Sequence, residues 1–86
     1  MDIVTPVVHR NGDRKETLIK QLEVAYRAVH AAQLALRECA GNRRNFYVDE
    51  GRWEAYRIQH QERMAHLEAL RLSLVAEVEQ IEKENS

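Results

Sequence analysis

Eighty-six residues, 31% of them charged and 44% hydrophobic, with three glycines and one proline, have the composition of a single helix-rich domain. A formal net charge of −1 supplies no general attraction for nucleic acid or an anionic membrane. The one cysteine, Cys39, excludes an intrachain disulfide and fits a reducing compartment. No run approaches the roughly 20 apolar residues that span a bilayer. Residues 1–8 contain Asp2 and no basic lead-in to a hydrophobic stretch, so the expected location is the cytoplasm.

In chain order, residues 2–8 are β-branched around Pro6 and read as a short extended arm or edge strand, within an arm region spanning 1–12. Asn11-Gly12 is a turn signal. Asp13 with Glu16 three residues later has the spacing of a capping box, which predicts a first helix over 13–40. Its apolar seam reads Leu18, Leu22, Ala25, Val29, Ala32, Leu36, Cys39, spaced alternately by four and three. Ile19 and Tyr26 widen the seam on one side, and Val24, Ala28, Ala31 and Ala35 on the other. Gly41-Asn42 is the expected C-cap.

A connection follows over 41–48, and Asp49 is the next N-cap, opening a second helix over 49–84. The inner stripe of that helix reads Trp53, Tyr56, His60, Met64, Leu67, Leu70, Leu74, Val78, Ile81. Two long helices and a short connection force an antiparallel hairpin, so the fold class is all-α. The triplet Ala25-Tyr26-Arg27 recurs as Ala55-Tyr56-Arg57, thirty residues on, a weak internal echo.

The hairpin has more apolar surface than one seam hides. Ile58, Ala65, Ala69, Leu72 and Ala76 lie on a second face of helix 2, and Leu34 points away from the seam of helix 1. Burial of a leucine or isoleucine is worth about 1.5–3 kcal/mol. At this size a chain buries only roughly 60–65% of its unfolded surface, so these five residues are candidates for self-association as a dimeric four-helix bundle. Alanine is also a good helix former, and the same residues suit a plain solvent face.

No chemistry assembles from the reactive residues. His9, His30, His60 and His66 form no His-x3-His pair, and no Glu-x-x-His motif is present. Cys39 sits at a seam position, where a thiol behaves as a small apolar group. The expectation is a non-enzyme with no cofactor, no metal and no small-molecule substrate.

The connection is the richest local feature. Arg43, Arg44, Phe46, Tyr47, Arg52 and Trp53 interleave arginine with aromatics, the composition of protein-interface hot spots and of base-stacking surfaces. The aromatics equally suit a plug for the end of the hairpin core. Asp49, Glu50 and Glu54 dilute the positive field, which argues against nucleic acid and for a protein partner. At the other end, Glu77, Glu79, Glu82 and Glu84 form an acidic stretch.

The lead-in His9-Arg-Asn-Gly12, the connection Asn42-Arg-Arg-Asn-Phe-Tyr47 and a second helix with His60, Arg63 and Leu67 resemble a group of small two-helix proteins of bacteriophages and prophages. The resemblance covers most of the chain, and it implies a phage accessory or structural protein. The combined expectation is a homodimeric hairpin that binds and modulates a host or phage protein in the host cytoplasm. A virion assembly component is the alternative, and a nucleic-acid-binding module the weaker one.

Overall fold

The computed structural model describes residues 3–6, 12–39 and 49–84. Helix α1 spans Gly12–Arg37 and helix α2 spans Glu50–Glu84, and among the described residues there is no strand. Contacts of Leu22 with the Val78 level, Gln33 with Glu68 and Tyr56 with Cys39 run in opposite order along the two helices, which defines an antiparallel hairpin. The molecule measures 62 × 22 × 13 Å, with a radius of gyration of 18.4 Å. A compact chain of this length has a radius nearer 12 Å, so the hairpin is a flat ribbon one helix thick.

The predicted seam of α1 is where the helices meet. Leu18, Leu22, Ala25, Val29, Ala32 and Leu36 are all half-buried, whereas Cys39 is exposed beyond the helix end. Ile19 and Tyr26 are also half-buried, but Val24, Ala28, Ala31 and Ala35 on the other side are exposed, so α2 leans toward only one flank. The line Ile19, Tyr26, Gln33 continues that flank at seven-residue spacing, and Gln33 is buried at its end.

On α2 the stripe differs from expectation at one position. Leu70 is 47% exposed, and Arg71 takes its place against α1. The spacing explains the shift: 60, 64, 67, 71, 74, 78 and 81 alternate strictly by four and three, which keeps a side chain on a coiled-coil seam, while 70 falls one residue to the side. Trp53, Tyr56, His60, Met64, Leu67, Leu74 and Val78 are half-buried as expected. Ile81 is the one apolar side chain among the described residues that is fully buried.

Helix boundaries follow local hydrogen bonding. The first helix begins at Gly12, so Asp13 falls inside the first turn rather than ahead of it. Asp13's side chain and the Gly41-Asn42 cap lie outside what is described. The C-terminus comes at Arg37 instead of residue 40 because the chain tightens there: Glu38 N–H donates to the Ala35 carbonyl at 3.2 Å and Cys39 N–H to Leu36 at 2.9 Å. Tyr56 O–H then donates to the Cys39 carbonyl at 2.7 Å, so α2 satisfies an acceptor that the end of α1 leaves open.

Asp49 caps α2 as expected. Its Oδ1 accepts from Arg52 N–H at 3.0 Å, the bond that an N-cap carboxylate makes to the third helical residue. Glu50 adds negative charge in the first turn.

The N-terminal arm makes no strand over residues 3–6. Its alternation instead turns Ile3 and Thr5 inward while Val4, at 85% exposed, points to solvent. Ile3 lines a shallow hollow together with Ala69, Leu72, Ser73 and Ala76 on the outer edge of α2. Thr5 O–H donates to Glu84 at 2.9 Å, and bonds from Gln80 and Thr5 hold the Glu84 carboxyl below its usual range.

Gly51 sits in the first turn of α2 with no conformational need for glycine. A β-carbon there meets Asp49 Oδ1 at 3.4 Å, an ordinary contact. Gly51→Ala is therefore expected to stabilise the fold by about 0.5–1 kcal/mol, measured as a higher urea midpoint at unchanged slope; a lower midpoint would contradict the helical assignment of this turn.

Candidate interaction surface

Three features bear on the surface: an apolar outer face of α2, the described part of the arginine-aromatic end, and a polar cluster within the seam. The outer face is laid down by helical spacing. Ile58 and Leu72 remain 47% and 53% exposed, Ala65 and Ala69 are exposed, and Ala76 is half-buried. Ala69, Leu72 and Ala76 line a shallow hollow with Ile3, so the arm borders part of this set and leaves Ile58, Ala65 and Leu72 open.

At the arginine-aromatic end, Arg43, Arg44, Phe46 and Tyr47 lie outside the described residues. Arg52 is exposed, 3.8 Å from its neighbour Asp49, and Trp53 is half-buried on the inner stripe. Arg57 pairs with Glu54 at 2.9 Å. The acidic residues thus partly compensate the arginines locally, as their interleaving in the sequence implies.

The polar cluster is the feature that sequence reasoning missed. Arg71, at a seam position, forks onto the Glu68 carboxylate through two nitrogens, with the Nε bond at 2.9 Å. Gln33 Nε2 donates to the same carboxylate at 2.8 Å. Arg71 also donates to the Tyr26 hydroxyl at 3.1 Å, its guanidinium lying 5.8 Å from the ring centre. Two residues from each helix are tied into one network, in which Glu68 accepts from both sides. Two signals pointed to it: the seven-residue line through Ile19 and Tyr26 reaches Gln33, and the strict seam spacing reaches Arg71 rather than Leu70.

The Arg71 and Gln33 hydrogen bonds lower the Glu68 carboxyl from an ordinary 4.5 to about 2, and the same partnership raises Arg71. A depressed carboxyl stabilises the fold fully above its unfolded value and loses that contribution as pH falls through its folded value. Glu68 therefore contributes fully above about pH 5, and the contribution fades between about pH 4.5 and pH 2.

No metal-type constellation accompanies these features. Among the described residues, no three His, Cys, Asp or Glu side chains stand where they would hold a metal ion. His30 and His66 are exposed and His60 is half-buried on the seam. Among the described residues, no helix is long and apolar enough to cross a membrane.

No family model, curated protein or solved structure matches the chain. The surface must therefore be read from its own chemistry.

Glu68→Gln removes the titrating partner while keeping its shape. The variant is expected to unfold more easily than the parent at pH 7 and to show a flatter stability profile between pH 5 and pH 2. Chemical denaturation at a series of pH values measures this, and parallel profiles for the two proteins would show that Glu68 is not linked to folding.

Proposed function

We propose that the chain is a non-enzymatic, self-associating helical hairpin that binds and modulates another protein. The observation that carries this reading is the balance of surface. Ile81 is the one fully buried apolar side chain among the described residues, while Val24, Leu34, Ile58, Leu70 and Leu72 are 46–65% exposed. A ribbon one helix thick gains stability by covering such a surface with a second molecule.

The modulating role rests on the sequence. Arginines and aromatics at 43, 44, 46, 47, 52 and 53 match the composition of protein hot spots, and the acidic neighbours disfavour nucleic acid. The resemblance to phage two-helix proteins suggests that the partner is a host protein of defence or regulation. The hairpin is then an accessory protein that assembles as a homodimer and presents its connection end to the partner.

Sedimentation equilibrium tests the association. The wild-type chain is expected to be dimeric at micromolar concentration. Ile58→Lys and Leu72→Lys are each expected to raise the dimer dissociation constant at least about tenfold, since each removes roughly 1.5 kcal/mol or more of apolar burial. A well-folded monomer at roughly 100 µM, a hundredfold above a micromolar constant, would end this reading.

For the partner-binding end, Arg43→Glu/Arg44→Glu is expected to lose specific partners in affinity capture from host lysate. Partner sets identical to those of the wild type would remove the connection from the interface.

A further inference from the structure

One broad face of the ribbon is grooved. Leu22 and Tyr26 of α1 and Leu74, Val75 and Val78 of α2 enclose a hollow of about 290 Å³ that opens to solvent. Leu22, Leu74 and Val78 are seam residues, so the floor of the hollow is the interhelical seam itself. Glu23 and Glu79 stand at its sides. At Tyr26 it adjoins a second hollow of about 500 Å³ nearer the connection, bordered by His30, Arg37 and the Glu68–Arg71 pair. Glu68 neutralises Arg71 there, so Arg37 sets the sign of this half. The groove is thus flanked by Glu23 and Glu79 toward the open end of the hairpin and by Arg37 toward the connection.

We propose that a second copy of this chain docks on the grooved face with the two hairpins pointing in opposite directions. The proposal rests on the self-association reading above and specifies its face and its orientation. In a two-fold dimer the same patch meets itself, and the reversal of sign along the groove then decides the direction. Opposite directions place Glu23 and Glu79 of each copy near Arg37 of the other, whereas equal directions place acid against acid and arginine against arginine.

The available area agrees. A face of 62 × 22 Å offers on the order of 1,300 Å², above the roughly 800 Å² per partner of a stable interface. Ile58, Ala65 and Leu72 border this face, because Ala65 and Leu72 stand three residues before Glu68 and Val75, one helical step outward. Ala69 and Ala76 instead line the hollow beside Ile3 on the outer edge, so docking leaves the arm in place.

The native Cys39, exposed at the connection end, reports the orientation. It stands thirteen residues beyond Tyr26, the junction of the two hollows, so opposite directions separate the two Cys39 residues by roughly 40 Å at 1.5 Å per residue. Equal directions bring them within roughly 20 Å, about two helix diameters. Spin labels on Cys39, read by electron–electron resonance in the dimer, are expected to give the long distance; the short one overturns the orientation.

The face is tested by Val75→Lys, expected to weaken the dimer at least tenfold, against Leu70→Lys on the opposite broad face, expected to leave it unchanged. Glu23→Lys/Glu79→Lys alters only the sides of the groove; it is expected to weaken the dimer, and adding Arg37→Glu to restore it. An effect confined to Leu70→Lys, or no restoration, overturns the grooved face. A wild-type chain that stays monomeric overturns the self-association reading as well, which a dimer of the wrong orientation does not.

Discussion

Two helices lying side by side share one seam, and every structural property of this chain follows from how little a single seam can bury. The seam residues of α1 and α2 are half-buried along almost their whole length, and Ile81 alone is sealed. Among the described residues no third helix closes the flanks, so water reaches the sides of the half-buried aliphatic pairs. Such a ribbon is held by many partial burials instead of one dense core, and each contributes less than the roughly 1.5–3 kcal/mol of a fully buried aliphatic side chain. The alanines at 25 and 32 let the helices approach closely, which limits the gap but also limits the area hidden.

Within that seam the Gln33, Glu68, Arg71 and Tyr26 network has a role that apolar contacts lack. Leucines slide past one another by a turn at modest cost, whereas the bonds from Gln33 to Glu68 and from Arg71 to Tyr26 fit one alignment of the two helices. The network joins both helices near the middle of the hairpin, where a register error would break the two bonds that cross, Gln33 to Glu68 and Arg71 to Tyr26, while the Arg71–Glu68 pair within α2 would persist. Its contribution is to the specificity of the pairing more than to its strength, since the groups are only partly shielded from water.

The ends of the hairpin are closed by side chains reaching across. Tyr56 donates to the last turn of α1, and Thr5 ties the arm to the end of α2. Tyr26 and Tyr56, the tyrosines of the thirty-residue echo, each use their hydroxyl on the opposite helix, Tyr26 as acceptor from Arg71 and Tyr56 as donor to Cys39. The arm lies on the outer edge of α2, away from α1, so α2 is flanked on two sides over residues 69–76 and the grooved broad face stays open.

The sequence by itself determined the two helices, their antiparallel order, the α1 seam and the Asp49 cap, because periodicity and capping are local and are written in consecutive residues. It also marked Ile58 and Leu72 as exposed apolar residues, since helical geometry alone fixes which face they occupy. It misplaced one seam position, where the leucine at 70 drew attention from the arginine at 71 that the spacing favours, and it carried α1 past Arg37. Only the tertiary structure decided which flank of the seam is covered, that Arg71 enters it with Glu68 and Gln33, and that Ile3 shares a hollow with Ala69 and Ala76. Those outcomes depend on which residues of one helix come level with which of the other, and that alignment is set by contacts between residues 35 to 79 positions apart.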